Sequence, residues 1–312
     1  MQELQVAVGV VSDSSGKILI SRRHPASHQG GFWEFPGGKI AAGESIVAAL
    51  GRELEEELGI KVESASPLIR IHHRYPDIAV VLHVYRVEAY ASRARGREGQ
   101  KIRWIEQREL HRFEFPKANL PILSAIRLPA IWPIWNVDFD DSDALEQGFR
   151  QWLARGVKNM QIRCKSVSIE RFANAVGPLC AEARRIGIQL VLNSGTGIVN
   201  NINAAGIHLN SRLLMNARTR PLPGVSWVGA SCHNPDELHH AERLGLDYAF
   251  LSPLHSTASH PEIEPLGWER FTSWVDRVNI PVYALGGLKA DDLRLAREHG
   301  AQGIAGISAF AE

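Results

Sequence analysis

From residue 130 onward, the sequence alternates eight short β-rich runs with segments of helical periodicity. The runs are Ile131–Val137, Asn159–Ile162, Gln189–Leu192, Gly206–Leu209, Trp227–Ser231, Tyr248–Ser252, Val282–Leu285 and Gly303–Ile307. The clearest helical segments are Ile169–Arg185, Pro235–Leu244 and Ala290–His299. This alternation is typical of parallel strands joined by helices, and eight units predict a closed (β/α)8 TIM barrel of roughly 180 residues.

The first 128 residues follow a different plan. Their β-rich runs are Leu4–Val11, Lys17–Ser21, Leu68–His73, Ala79–Ala89 and Gln100–Ile105. One helix is clear at Ser45–Leu58, because Ser45 is a good N-cap and Gly59 a good terminating residue, and a second is predicted at Ala118–Arg127. We predict an α+β domain with a mixed sheet at residues 1–128, followed by the barrel domain at residues 130–312.

Composition limits the partners and the compartment. The 35 Lys and Arg residues almost balance 34 Asp and Glu residues, which argues against a large basic face that binds nucleic acid directly. The three cysteines have no CxxC spacing, which argues against a disulfide scaffold and suits the cytoplasm. We expect no signal peptide and no membrane-spanning segment, and therefore a cytoplasmic protein whose ligands are small molecules.

An acidic motif occupies the clear helix and the glycine loop before it. The segment Gly38–Ile60 reads GKIAAGESIVAALGRELEEELGI. On a helix, Glu53, Glu56 and Glu57 stand at positions i, i+3 and i+4 and share one face. Such a group alone is more often a solvated surface. Clustered carboxylates can also hold Mg²⁺, or alternatively Mn²⁺, since both prefer oxygen ligands and bridge phosphates.

The remaining apolar residues of the helix predict how it packs. Val47, Leu54 and Leu58 lie on a separate face and are expected to form the seam that holds the helix on a sheet.

The segment Gly38–Ile60 has the residue spacing of the Nudix box, at Gly38, Glu44, Arg52 and the three glutamates. The domain therefore resembles the Nudix hydrolases. The resemblance implies an α+β Nudix fold and hydrolysis of a nucleoside diphosphate linked to another group. It implies metal binding by Glu53, Glu56 and Glu57, assisted by a backbone carbonyl of the loop at Gly37 and Gly38. Arg52 would orient one glutamate, and Glu44 would lie behind the metal or bind it through water.

The resemblance to MutT-type Nudix hydrolases extends over the whole domain. The matching segments are LQVAVGVV at 4–11, SRR at 21–23, EFPGGKI at 34–40, GREGQ at 96–100 and FEFPKANLPIL at 113–123. It implies cleavage of 8-oxo-dGTP to 8-oxo-dGMP and pyrophosphate, which removes an oxidised nucleotide before DNA replication and so serves DNA repair. Arg23 would contact phosphate, Glu98 would join the metal site or activate water, and Asn119 would bind the base.

A carboxamide at position 119 suits an oxidised guanine. It can donate to O6 and accept from the N7–H that only 8-oxoguanine carries, whereas plain guanine would leave a buried acceptor unpaired. The alternative role for Asn119 is an N-cap. Phe35 or Trp33 is a candidate for lining the base pocket, with ordinary core packing as the alternative. Ile78 stands where related enzymes can carry an arginine, so the resemblance does not supply that base contact.

The second domain resembles the thiamin phosphate synthase and TenI family of barrels. The matching segments are MQIRCK at 160–165, GIHLN at 206–210, VGASCHN at 228–234, LDYAFLSPLHSTASHP at 246–261, IPVYALGGL at 280–288 and GIAGISAF at 303–310. The resemblance implies a phosphorylated, thiamin-type ligand. The residues that would hold it are Gln161, Arg163, Lys165, Gly286, Gly287, Ile307 and Ser308, with Asn193 nearby. A tight turn is the alternative reading of the two glycines.

Departures from the family pattern argue against synthase chemistry. Family synthases carry aspartates where this chain has Ser194 and Leu213, and a lysine where it has His260. Those aspartates hold the Mg²⁺ that neutralises the leaving pyrophosphate. A TenI-like tautomerase or a non-catalytic ligand pocket remains, with His233, His255 and His260 as acid–base candidates.

Two functional hypotheses follow. The first is a Mg²⁺-dependent 8-oxo-dGTP diphosphatase, with a barrel that binds a phosphorylated ligand and lacks synthase activity. The alternative is Nudix hydrolysis of thiamin-related pyrophosphates, with a barrel that acts as a thiazole tautomerase or a regulatory module.

Overall fold

The computed structural model describes residues 3–25, 29–137, 142–164, 168–193, 204–222, 226–256 and 264–307. The chain divides into two compact units, residues 1–128 with 276–281 and residues 129–275 with 282–312. In the part of the chain that the structure describes, no helix combines the length and the apolar character that crossing a bilayer requires.

The first unit contains two small sheets. Its strands are Leu4–Val11 (β1), Ile18–Arg22 (β2), Trp33–Glu34 (β3), Gly37–Lys39 (β4), Lys61–Arg74 (β5), Ala79–Ala91 (β6) and Ile102–Ile105 (β7). One sheet has the order β4-β1-β6-β5, in which β1 and β6 are parallel and the other pairs antiparallel. The antiparallel second sheet has the order β3-β2-β7. The predicted mixed-sheet fold is therefore confirmed.

Strand β5 is longer than predicted. The sequence indicated Leu68–His73, whereas the strand begins at Lys61. Its first half is polar and mostly exposed, and its pairing with β6 is interrupted by register shifts near Ser64 and Pro67. A polar edge strand with bulges lacks the alternation by which strands are recognised in a sequence.

The predicted acidic helix is present at Ile46–Leu58 (α1). The Ser45 hydroxyl accepts the Ala48 N–H at 3.2 Å, and Gly59 ends the helix at a φ of 71°. A second helix, Leu120–Arg127 (α2), follows a 3₁₀ turn at Lys117–Asn119.

One part of the predicted seam of α1 is wrong. Leu54 and Leu58 are fully buried, but Val47 is 50% exposed. Although Val47 shares their face by angle, it lies in the first turn, and the fully buried positions of the helix begin at Ala49 and Leu50.

The second unit is a closed barrel of eight parallel strands, as predicted. The strands are Ile131–Asn136 (β8), Asn159–Arg163 (β9), Gln189–Asn193 (β10), Gly206–Leu209 (β11), Trp227–Cys232 (β12), Tyr248–Leu251 (β13), Val282–Leu285 (β14) and Gly303–Gly306 (β15). The helices are Ser142–Ala154 (α3), Ile169–Arg185 (α4), Ser211–Asn216 (α5), Pro235–Arg243 (α6), Gly267–Val275 (α7) and Leu293–Glu298 (α8). The last predicted helix is shorter, because Ala290–Asp292 forms a 3₁₀ turn.

Aromatic rings fill the barrel interior. The Trp132 ring lies 4.5 Å from that of Tyr248, 5.9 Å from Phe250 and 5.6 Å from Tyr283, measured between centroids. Gly229 makes room for this packing, since a Cβ there would overlap the Tyr248 ring. The barrel is thus a packed core, and ligands have access at the strand ends.

Candidate active site

Among the described carboxylates of the first unit, Glu57 has the most strongly shifted pKa. It lies on α1 beside the glycine loop, and the Gly37 N–H donates to its Oε2 at 3.3 Å. Its pKa is raised to about 8, chiefly by burial and also by the negative charges of Glu34, Glu98 and Glu53. The site therefore concentrates negative charge around one half-buried carboxylate, an arrangement that a bound cation would stabilise.

The glycine loop lies directly against this helix. A Cβ on Gly38 would overlap the Glu53 carboxylate, and one on Gly37, whose φ is 146°, would overlap the backbone of Ala7. Only glycine allows the loop this close to the helix. The backbone of β4 is thereby held beside two of the predicted metal-binding carboxylates.

Arg52 joins the loop to the other helix carboxylates. Its guanidinium binds both oxygens of Glu44 at 3.0 Å, Glu53 at 2.8 Å and Glu56 at 3.3 Å, and it donates to the Lys39 carbonyl at 3.0 Å. Hydrogen bonding to Arg52 lowers the pKa of Glu44. Arg52 therefore contacts both Glu53 and Glu56 while Glu44 fixes its position.

The oxygen ligands of these residues are of the kind that a hard divalent cation prefers. Among the described residues, however, no three acidic, His or Cys side chains are arranged so that they could hold a metal ion as they stand. The donors are carboxylate oxygens, and the loop backbone packs closely enough on Glu53 to exclude any larger side chain. Arg52 contacts one oxygen of each helix carboxylate, Glu53 Oε1 and Glu56 Oε2, so the second oxygen of each can bind an ion while Arg52 holds the first.

Glu98 approaches the cluster from a loop. Its charge acts on Glu57, and the side chain itself is exposed. The loop is bonded to the end of α1, where Arg95 N–H donates to the Leu58 carbonyl at 2.9 Å and Arg97 N–H to the Glu57 carbonyl at 2.9 Å. The exposed Glu98 is thus attached to the helix that carries the half-buried Glu57.

Glu34 is a site residue that the sequence analysis missed. It forms an ion pair with Arg23, the predicted phosphate contact, and burial raises its pKa. Its charge also reaches Glu57. The available signal was its position directly before the Phe-Pro-Gly-Gly segment, which brings any acid there to the glycine loop. Arg23 is thereby held at the edge of the carboxylate cluster.

Asn119 precedes α2 but makes no side-chain capping bond, so the alternative N-cap role is not realised. Beside it, burial raises the pKa of the Tyr75 hydroxyl, and a hydrogen bond from the Ala118 N–H partly offsets this. Tyr75 and Ile78 both pack against the apolar cluster that contains Ala118. Phe35 is only 2% exposed and stacks on Phe115 with centroids 5.3 Å apart, which supports the core-packing alternative for this residue.

The mouth of the barrel is basic where the sequence predicted ligand contacts. Arg163 ends β9, and burial lowers its pKa. Gln161 is 1% exposed, and its Oε1 has no hydrogen-bond partner among the described residues. Gly286 and Gly287 follow β14 at φ values of 112° and 68°, and Ile307 is half-buried after β15. The predicted contacts Lys165 and Ser308 lie outside the described residues.

The last residues of the eight barrel strands, all of them described, include no carboxylate. Asn193 ends β10, and Leu213 lies in the first turn of α5, where its N–H donates to the Asn210 side chain at 2.9 Å. The position at which synthases carry an aspartate therefore has only an apolar side chain. Ser194 and His260 lie outside the described residues.

His233 has a defined hydrogen-bond partner that the sequence did not reveal. Its Nδ1 lies 2.9 Å from the Ser252 carbonyl, which can only accept, so Nδ1 carries the proton and Nε2 is left as an acceptor. The backbone N–H of His233 donates to the carboxylate of the buried Glu237 at 2.6 Å. His255 instead packs edge-on against Trp268, at 6.0 Å between centroids. Of these two histidines, His233 has the better-defined geometry for proton transfer.

Buried His208 predicts a pH dependence of stability. It lies 2.9 Å from Ser231 Oγ and 3.3 Å from the Tyr248 hydroxyl, and burial, aided by the charge of Arg163, lowers its pKa to about 3. The unfolded chain protonates this side chain near pH 6.5 but the folded chain does not. Taken alone, this group should therefore lower the free energy of unfolding by about 2 kcal/mol between pH 7 and pH 5.

Urea unfolding at pH 7 and pH 5 measures this effect. Between these two pH values, the change in unfolding free energy should differ by about 2 kcal/mol between His208→Gln and the wild type, whereas His239→Gln, a change at a half-exposed helix position, should match the wild type. An unchanged pH dependence in His208→Gln would contradict the assignment.

Comparison with known proteins agrees with this geometry. Residues 7–125 match the family described as NUDIX domain, and residues 133–310, more than half of the chain, match the family described as Thiamine monophosphate synthase. The 8-oxo-dGTP diphosphatase of Escherichia coli is 35% identical over 127 residues, which cover 41% of this chain and 98% of that protein.

Two further relatives give the same division. The 8-oxo-dGTP diphosphatase of Haemophilus influenzae is 38% identical, with 38% of this chain and 88% of that protein covered. The thiamine-phosphate synthase of Syntrophomonas wolfei is 31% identical, with 54% of this chain and 81% of that protein covered. The chain therefore belongs to two families at once, the Nudix hydrolases through its N-terminal part and the thiamine monophosphate synthase and TenI family through its C-terminal barrel.

Proposed function

We propose that residues 1–128 form a Mg²⁺-dependent pyrophosphohydrolase that acts on oxidised purine nucleoside triphosphates. The reaction consumes 8-oxo-dGTP and water and yields 8-oxo-dGMP and pyrophosphate, which keeps the oxidised base out of DNA. The observation that carries the proposal is the convergence of Glu34, Glu53 and Glu98 on Glu57 beside the glycine loop.

The residues that would hold the metal are Glu53, Glu56, Glu57 and Glu98, with a backbone carbonyl of Gly37 or Gly38. A divalent cation bound there supplies charge neutralisation of the phosphates and lowers the pKa of a bound water. Mn²⁺ is an alternative to Mg²⁺, since both accept a set of carboxylate oxygens.

The chain's own groups perform the remaining steps. Arg23 binds a phosphate oxygen once its pairing with Glu34 loosens, and Arg52 orients Glu53 and Glu56. The Glu98 carboxylate takes the proton from the attacking water as its oxygen bonds to phosphorus. The bond from phosphorus to the bridging oxygen then breaks, and pyrophosphate leaves with the electron pair of that bond.

Asn119 supplies base selection. Its carboxamide donates to O6 and accepts from N7–H of 8-oxoguanine, and its freedom from capping leaves both groups available. With dGTP, the amide oxygen would face the N7 lone pair. Sites of this kind discriminate by about 10⁴-fold.

A steady-state comparison of 8-oxo-dGTP with dGTP tests the proposal. We expect kcat/KM to favour the oxidised nucleotide by about 10⁴-fold. Equal values would eliminate the sanitising role, and faster turnover of thiamin diphosphate than of either nucleotide would favour the alternative substrate class.

That alternative, hydrolysis of thiamin-related pyrophosphates, rests on one observation. The hydrolase domain is continuous in sequence with a domain of the thiamine monophosphate synthase family. The 8-oxo-dGTP reading remains the better supported, since the relatives at 35% and 38% identity match the hydrolase domain itself.

For residues 130–312 we propose a pocket for a phosphorylated, thiamin-type ligand without synthase activity. The half-buried guanidinium of Arg163, with Gln161, Lys165 and the backbone at Gly286, Gly287, Ile307 and Ser308, would hold the phosphate end. Leu213, in the place of an aspartate, removes a ligand from the Mg²⁺ site that a synthase requires. The orientation of His233 is compatible with a TenI-like tautomerase.

Calorimetry with thiamin phosphate and thiazole phosphate, followed by a tautomerase assay, tests the barrel. We expect binding that Arg163→Met weakens by about 10- to 100-fold, since a partly desolvated charge-assisted contact is lost. Heat without product would identify a binding module, product would identify a tautomerase, and no heat with either compound would contradict the pocket.

We further propose that both domains work on small molecules in the cytoplasm, without direct nucleic-acid or membrane binding. The near balance of 35 basic and 34 acidic residues supports the absence of a nucleic-acid face, and the three cysteines, which form no CxxC motif, suit a reducing compartment.

A further inference from the structure

Gln100 bonds to both of the segments that carry Glu57 and Glu98. Its Oε1 accepts the Glu98 N–H at 2.9 Å, and its Nε2 donates to the Glu57 carbonyl at 3.0 Å. The side chain is half-buried, whereas the loop residues from Arg95 to Gly99 are exposed. One carboxamide therefore connects the exposed loop acid to the half-buried helix acid.

The rest of the loop shows why such a bridge matters. The last carbonyls of a helix have no partner within it. Here Arg97 bonds to two of them, through its backbone N–H to Glu57 O at 2.9 Å and its Nη1 to Glu55 O at 3.1 Å, and Glu55 O also accepts the Gly59 N–H. Both bonds of Arg97 precede Glu98 in the chain. The Gln100 side chain adds a bond on the far side of Glu98, where Gly99 turns at a φ of 77°.

We propose that Gln100 is a positioning residue, which holds the Glu98 carboxylate at a fixed place relative to Glu57. The role requires one planar group with an acceptor and a donor, as the carboxamide of Gln100 supplies. Glutamate would place an oxygen against the Glu57 carbonyl, and an apolar side chain would release both partners. The inference rests on the proposed function, in which Glu98 takes the proton from water.

The first test measures the loop without any substrate. In the full chain, Gln100→Met keeps the side-chain length and removes both bonds, so hydrogen exchange of residues 93–101 should become about tenfold faster. Gln107→Met is the matched control, because Gln107 is also half-buried and donates to a loop carbonyl, Gly16 O, at 3.4 Å. Unchanged exchange in Gln100→Met would overturn the bridge.

The second test is a double-mutant cycle with Glu98→Gln. Gln100→Met should lower kcat by about 10- to 100-fold with little change in KM, as is usual for residues that orient a catalytic group through hydrogen bonds. On the Glu98→Gln background it should cost nothing further, because its effect acts through Glu98. Additive losses would refute the positioning role. A wild-type chain inactive on 8-oxo-dGTP would refute the proposed function, and the exchange result would still decide the bridge.

Discussion

Replacing Glu57 with glutamine is expected to reduce kcat for 8-oxo-dGTP by about 10³-fold or more, because the site loses its central anionic ligand. The fold should remain intact. The raised pKa of Glu57 means that the folded protein opposes its ionisation, so the neutral amide should leave the metal-free protein equally stable or more stable at pH 8. Steady-state kinetics and thermal unfolding measure the two effects.

Glu55→Gln is the matched control, with the same charge change on the same helix. Glu55 is exposed and contributes only its backbone carbonyl to the loop contacts. We expect near wild-type kcat in this variant. An active Glu57→Gln enzyme, or an equal loss in Glu55→Gln, would contradict the assignment of the carboxylate cluster.

Asn119→Ala is expected to reduce the preference for the oxidised base from about 10⁴-fold to about 10²-fold. The kcat/KM for 8-oxo-dGTP should fall by about 10²-fold, because two hydrogen bonds to the base are lost, whereas the value for dGTP should change little. Since the Asn119 side chain makes no capping bond to α2, thermal stability should be unchanged.

Asn119→Asp separates donation from acceptance. A carboxylate keeps an acceptor for N7–H but loses the donor to O6, so this variant should also discriminate poorly. A wild-type ratio of the two substrates in Asn119→Ala would show that base selection lies elsewhere, and would direct attention to Tyr75 and Ile78 at the neighbouring turn.

Much of the fold could be predicted because its signals are local. The caps at Ser45 and Gly59 bound α1, and the alternation after residue 130 predicted all eight barrel strands. The polar start of β5 was missed for the same reason, since bulged edge strands carry no period-2 pattern. The exposure of Val47 depends on where the sheet begins beneath the helix, which spacing within the helix cannot reveal.

The site was predictable only where the spacing of residues along one helix determines their arrangement. Glu53, Glu56 and Glu57 follow from helical periodicity, but the packing of Glu34 and Gln100 beside Glu57 comes from contacts between segments distant in sequence. The partner of His233 is likewise a carbonyl 19 residues away. Such contacts arise from tertiary packing, and a single sequence does not encode them in any local pattern.

The most direct test of the account is hydrolysis of 8-oxo-dGTP by the full chain before and after treatment with excess chelator. Because the carboxylates around Glu57 are assigned to holding a divalent cation against the triphosphate, we predict that turnover stops in chelator and returns when Mg²⁺ is added in excess. Hydrolysis that continues at the same rate in chelator would contradict the account.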